Sequence, residues 1–112
     1  PFELIFECNE WTPRELESYD HEVLTVTTAA GGFTATKVAP VNAPSGRYAV
    51  CTLESNPVRF HTHGTDPTAT AGHLRATGAI IEVFGTNDLR RFRVIRDTAA
   101  SGNASLTCAF KR

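Results

Sequence analysis

Val58-Arg59-Phe60-His61-Thr62-His63 is the stretch on which the fold turns. Apolar and polar side chains take turns along it, and a period of two belongs to an extended strand with one face toward a core. Parity sets Val58, Phe60 and Thr62 toward that core and leaves Arg59, His61 and His63 on the opposite face. The same period recurs on both sides, in short runs dominated by Val, Ile, Phe and Thr. These runs predict further strands over 2–8, 23–28, 33–38, 47–53, 79–84, 92–96 and 106–110, about eight in all. Gly31-Gly32 predicts a tight hairpin, 40–46 a longer loop, Asn56-Pro57 a turn and Ser101-Gly102-Asn103 another. No strand–helix–strand alternation is visible. The fold class read from this pattern is all-β: a single-domain β-sandwich or jelly roll spanning 1–112.

One helix start stands out near the beginning, at Trp11-Thr12-Pro13-Arg14-Glu15-Leu16. Thr12 can cap the first amides, Pro13 suits the first helical position and Glu15 can close a capping box. Trp11 and Leu16 stand where a hydrophobic staple belongs. Since 17–20 lacks a helical pattern, one or two turns are expected, bridging the first strand to the second.

The totals narrow the function classes. With 112 residues and 41% apolar residues the chain can build a core without staples. A formal net charge of −1 with 21% charged residues excludes a polyelectrolyte and a strongly basic nucleic-acid or membrane-surface protein. No apolar run approaches the roughly 18 residues of a membrane span, and no signal-peptide succession opens the chain, which therefore reads as soluble. Pro1 and the lack of any Met suggest removal of a start methionine. Cys8, Cys51 and Cys108 are odd in number, widely spaced and without a CxxC pair. They are expected to be free, buried hydrophobes in a chain folded under reducing conditions.

Charge is unevenly placed. Residues 1–22 carry seven acids against Arg14, a net of −6, whereas the rest carry five acids against ten bases, a net of +5. This acidic N-terminal strand and helix can lie on the basic face of its own chain or meet a neighbouring subunit. Phe2, Leu4, Phe6, Trp11 and Leu16 supply apolar anchors for such a contact, and Arg90, Arg91 and Arg93 supply the basic cluster. Phe92 within that cluster reads as core.

His61 and His63, at i and i+2 on one strand, with His73 ten residues on, are the only metal-ligand pattern. A cupin-type site is the natural comparison, yet the chain continues Gly64-Thr65-Asp66-Pro67-Thr68 without the glutamate such a site needs, and Arg59 would set a positive charge beside the ion. Neither metal nor cofactor is therefore assigned. The 64–72 loop reads instead as architecture: Gly64 for an unusual dihedral, Pro67 for a fixed one, Thr65, Asp66 and Thr68 for bonds to backbone. GxSxG, a P-loop and a cysteine–histidine signature are missing, and pairs such as Glu15/Glu17 or Asp66/Asp88 set no glycosidase distance, so no enzymatic activity is expected. Asn103-Ala104-Ser105 is a formal sequon, read as a chance match.

Residues 56–74, followed by Gly78-Ala79-Ile80-Ile81-Glu82-Val83 and Asn87-Asp88-Leu89-Arg90-Arg91-Phe92-Arg93-Val94-Ile95-Arg96, carry a resemblance. A strand, the loop Gly64-Thr65-Asp66-Pro67-Thr68, then Gly72-His73-Leu74 and a strand leading to Phe92-Arg93-Val94-Ile95 resemble small structural proteins of tailed bacteriophages. The likeness covers roughly 48–110, with His61 and His63 departing from the residues usual in that strand. It implies a non-catalytic virion component, foremost a capsid decoration or stabilising protein, or else a minor head or tail subunit. Such a protein would be assembled in the host cytoplasm, bind the major capsid protein or other virion subunits, form homo-oligomers with a trimer as one candidate, and contact neither nucleic acid nor membrane. Two alternatives stand beside it: a β-sandwich module for a glycan or cell surface, with Trp11, Tyr19 and Tyr48 as stacking residues, and a cupin-like metal protein built on the histidines.

Overall fold

The computed structural model describes residues 16–112. Among them are seven strands and two short helices. β1 (Ser18–Val26), β2 (Tyr48–Ser55), β5 (Ile80–Phe84) and β7 (Ala104–Lys111) form an antiparallel sheet in the spatial order β1-β7-β2-β5. β3 (Val58–His61), β4 (His73–Arg75) and β6 (Arg93–Arg96) form a second antiparallel sheet, ordered β4-β3-β6. α1 (Ala35–Val38) and α2 (Thr86–Arg91) lie in the connections.

Alternation builds the four-stranded sheet. Ala49, Cys51 and Leu53 on β2 are buried, as are Ile81 and Val83 on β5 and Ala104, Leu106, Cys108 and Phe110 on β7. The register sets Ala49 opposite Phe110, Cys51 opposite Cys108 and Leu53 opposite Leu106. Inward side chains therefore meet as facing pairs, which is where sheets gain their side-chain stabilisation. Full burial of each large apolar side chain contributes about 1.5–3 kcal/mol. Val58, Phe60 and Val94 of the second sheet join the same buried cluster. Aromatic rings connect the two: Phe33 meets Phe110 edge-on at 5.1 Å and stacks on Phe92 at 4.4 Å, and Phe92 lies 5.8 Å from Phe60.

Several expectations give way. Residues 33–38 are not a strand: Lys37 and Val38 both donate backbone N–H bonds to Thr34 O, closing a helical turn that buries Val38. Phe33 is instead held by its ring stacking. Gly31-Gly32 forms no hairpin either, because Gly31 bridges to Val94 while Gly32 approaches β6 so closely that an added Cβ would stand 2.5 Å from Phe92 O. β1 begins five residues before the expected 23, since β7 runs alongside it as far as Ser18, with one register shift between Ser18 and Asp20. Reciprocal backbone bonds of 3.0 Å between Glu17 and Arg112 extend that pairing and leave no helical tail at 17–20.

β3 ends at His61, and Thr62 leaves the core-facing row assigned to it. α2 and β4 had not been read from the sequence. Cys51 and Cys108 are not free thiols, because facing positions on adjacent strands, with Cα atoms 4.0 Å apart, join them in a disulfide. The strand expected at 2–8, Cys8 and the helix start at 12–15 lie outside the described residues.

Candidate functional site

The most chemically dense region grows from the end of β3 and the loop that returns the chain to β4. Two turns of this loop need left-handed backbone, which Gly64 (φ +92°) and Gly72 (φ +132°) supply. Between them Pro67 is buried, and Thr68 and Ala71 close a bridge through N–H···O bonds of 2.9 and 3.2 Å. Thr68 Oγ1 also accepts from Thr70 N at 3.4 Å, as a structural loop requires. Asp66 behaves differently from its expected role: its carboxylate accepts from Arg93 Nε at 2.7 Å.

Beneath the loop, Arg59 Nε donates to Asp97 Oδ1 at 2.6 Å and its Nη1 donates to Gly72 O at 3.1 Å. Asp97 is the one buried charged residue among those described. The Ala99 amide, donating at 2.9 Å to Oδ2, and then the Arg59 guanidinium hold its carboxyl below the usual carboxylate range.

The three sequence-selected histidines do come together. His61 and His63 rings lie 4.5 Å apart between centroids, and His73 stands edge-on to His61 at 6.1 Å. Since a carbonyl can only accept, the 3.0 Å contact between His61 Nδ1 and Thr65 O gives Nδ1 the proton. Among the described residues, however, no group of three or more His, Cys, Asp or Glu side chains is arranged to hold a metal ion. Arginines approach this end of the sheet instead. Arg93 faces His61 in the β3–β6 register, and the stem of Arg91 runs 3.6–3.8 Å from where a Cβ on Gly64 would stand. Arg75 lies over the Phe60 ring at 5.7 Å, with His73 at 5.3 Å from the same ring. Arg91 keeps a partner in Asp88 at 3.3 Å.

Of the contact residues selected from sequence, Arg93 therefore faces His61 across the ladder and Arg91 lies beside Gly64. Arg90 is exposed on α2, and Leu16 is half-buried just before β1. Phe2, Leu4, Phe6 and Trp11 lie outside the described residues. Tyr19, one of the candidate stacking residues, donates its hydroxyl to Lys37 O at 2.6 Å and has the Arg112 guanidinium over its ring at 4.3 Å.

A second surface had not been read from the sequence. On the outward face of the four-stranded sheet Val23, Ile80 and Phe84 remain 61%, 59% and 61% exposed. Register lines up Val23, Thr107, Thr52 and Ile80 in one row and His21, Ala109, Val50 and Glu82 in the next. Tyr48 stacks on Phe84 at 4.8 Å and donates its hydroxyl to Glu82 at 2.6 Å. That bond to a carboxylate pushes the phenol up to about 12. The available signal was a second set of β-branched residues at the wrong parity: Val50 and Ile80 alternate with Cys51 and Ile81. Comparison of the chain with protein-family models, with curated proteins and with solved structures returned no match.

Proposed function

We propose that the protein is a structural subunit of a bacteriophage virion, a capsid decoration or stabilising protein that works by non-catalytic protein–protein binding. Its two sheets are read as the layers of a β-sandwich, a reading supported by the single buried cluster to which both contribute. The observation that carries the binding role is the outward face of the four-stranded sheet. Its central rows expose Val23, Ile80 and the Thr107/Thr52 pair with few charges among them. Depletion of charge at the centre of a patch and exposure of large apolar groups are the marks of a subunit contact. The virion setting, assembly in the host cytoplasm, the major capsid protein as partner and a homo-oligomeric state rest on the resemblance of 48–110 to phage structural proteins.

The test is cryo-electron microscopy of native particles together with light scattering of the purified protein. Density for this fold seated on a capsid through the Val23/Ile80 face is the expected result. A monomer at every concentration, together with particles carrying no such density, would overturn the proposal.

A further inference from the structure

We infer that the outward face of the four-stranded sheet receives a second copy of this chain, packed face to face about a two-fold axis that runs along the strands. The inference rests on the reading of that face as a subunit contact, and it names the partner that covers the face in the free protein.

Strand order makes the face complementary to itself. Each row runs from β1 through β7 and β2 to β5. A two-fold axis along the strands reverses that order across the interface, so that β1 of the second copy lies on β5 and its β7 lies on β2. One patch then serves both sides, as an isologous contact requires. The row His21, Ala109, Val50 and Glu82 carries an imidazole at its β1 end and a carboxylate at its β5 end, both exposed. Reversal therefore brings His21 of the second copy to Glu82, and by symmetry does so twice. The neighbouring row brings exposed Val23 onto exposed Ile80, with Thr107 on Thr52 between them. On the other side, the row Ser18, Lys111, Tyr48 and Phe84 sets Lys111 of the second copy against the Tyr48 ring, whose face attracts a cation. An axis across the strands through the His21 row would instead set Glu82 against Glu82, a like-charge contact that costs free energy.

Glu82 is already turned for this role. The Tyr48 hydroxyl donates to its Oε2 at 2.6 Å, which fixes the carboxylate and leaves Oε1 to accept a ring N–H from His21 of the second copy. Size agrees as well. Four strands side by side, with eight residues each in β2 and β7, offer a footprint of about 500 Å² per copy at ordinary strand spacings, or about 1,000 Å² in all, where specific interfaces begin. Aligned sheets pack about 10 Å apart, close enough for side chains of the two faces to interdigitate.

The experiment is sedimentation velocity of the full chain from about 1 μM to about 1 mM, the range in which a small interface dissociates. Wild type should pass from monomer to dimer. His21→Glu alone sets two carboxylates together at each end of the row, and Glu82→Lys alone removes the acceptor, so each should weaken the dimer about tenfold. Mixed in equal amounts, the two variants should pair with each other about tenfold more tightly than either pairs with itself. The new glutamate of one then meets the new lysine of the other, while native His21 meets native Glu82. Only a contact between copies can be rescued by mixing. Both changed side chains are exposed, and each variant should unfold at the wild-type urea midpoint. A wild-type monomer throughout the range would overturn the second copy and leave the capsid contact to be judged on native particles. A dimer indifferent to the charge variants but broken by Ile80→Lys would overturn the axis while leaving the face as the contact. A dimer indifferent to all three would overturn both.

Discussion

The two sheets are held by different physics. In the four-stranded sheet, β2, β5 and β7 present buried apolar rungs that face one another across the ladder and are tied by the Cys51–Cys108 disulfide. In the three-stranded sheet β4 is exposed throughout, while Val94 and Ile95 of β6 are both buried. Ile95 shares a side with Arg59, and that side is closed by the 64–72 loop, the Arg59–Asp97 pair and Pro67. One sheet is stabilised by area removed from water, which is indifferent to pH. The other leans on a few directional contacts, and those respond to protonation and to a single Cβ.

The largest effect that would break the contrast is on the four-stranded side. Cys51→Ala with Cys108→Ala should cost about 4 kcal/mol, the loop-closure entropy for a separation of 57 residues, measured by urea unfolding. A loss nearer zero would make apolar packing alone sufficient there. On the three-stranded side, Gly72→Ala forces a side chain into φ +132° with its Cβ 3.0 Å from Pro67 and 3.2 Å from Arg59. The same measurement should find about 1–3 kcal/mol lost.

Asp97→Asn sharpens the contrast by its pH dependence. The native carboxyl is held below its unfolded value, so its contribution is present above about pH 4 and disappears as pH falls through the depressed native value. The variant should therefore be less stable than wild type at neutral pH, and the two should converge in acid. A gap that persists in strong acid would mean that shape, not charge, holds the loop.

On the exposed face, Ile80→Lys should leave stability within about 0.5 kcal/mol and yet weaken self-association or capsid binding, read by light scattering. Smallest of all is a titration. Tyr48 ionises at about 12 because its hydroxyl donates to Glu82, so the bond contributes below the ordinary tyrosine value near 10 and is lost as pH rises through 12. Glu82→Gln should bring the phenolate absorbance transition down toward the ordinary value without altering the fold.

How much of this was legible follows from the same division. β2, β5 and β7 alternate one buried with one exposed residue, and all three were found within a few residues of their ends. β4 carries only His73, Leu74 and Arg75, all exposed, and offers no period to read. α2 opens on Gly85 without a side-chain cap, so it lacks the signature that marked Thr12 and Pro13. Phe33-Thr34-Ala35-Thr36-Lys37-Val38 alternates as a strand would, but among the described residues no strand pairs with it and its backbone closes on itself. The disulfide was hidden for a related reason. Burial of both cysteines was evident, whereas their meeting depends on a register that only the paired strands define. The three histidines were singled out from the sequence, whereas the 4.5 and 6.1 Å spacings of their rings arise from tertiary structure alone.

The place of β7 has a consequence for synthesis. It is the last of the described strands in chain order, yet it lies between β1 and β2 and pairs with both. While a ribosome is still producing residues 104–111, β1 and β2 have been made but lack the strand that joins them, and each carries an open edge. Ser18 must wait for Lys111. Such closure by distant pairing is slow and exposes sticky edges meanwhile. Emergence of β7, rather than any earlier local event, is thus the step at which a nascent chain commits to the four-stranded sheet. A chain stopped before Ala104 should remain unfolded and be readily captured by chaperones or proteases.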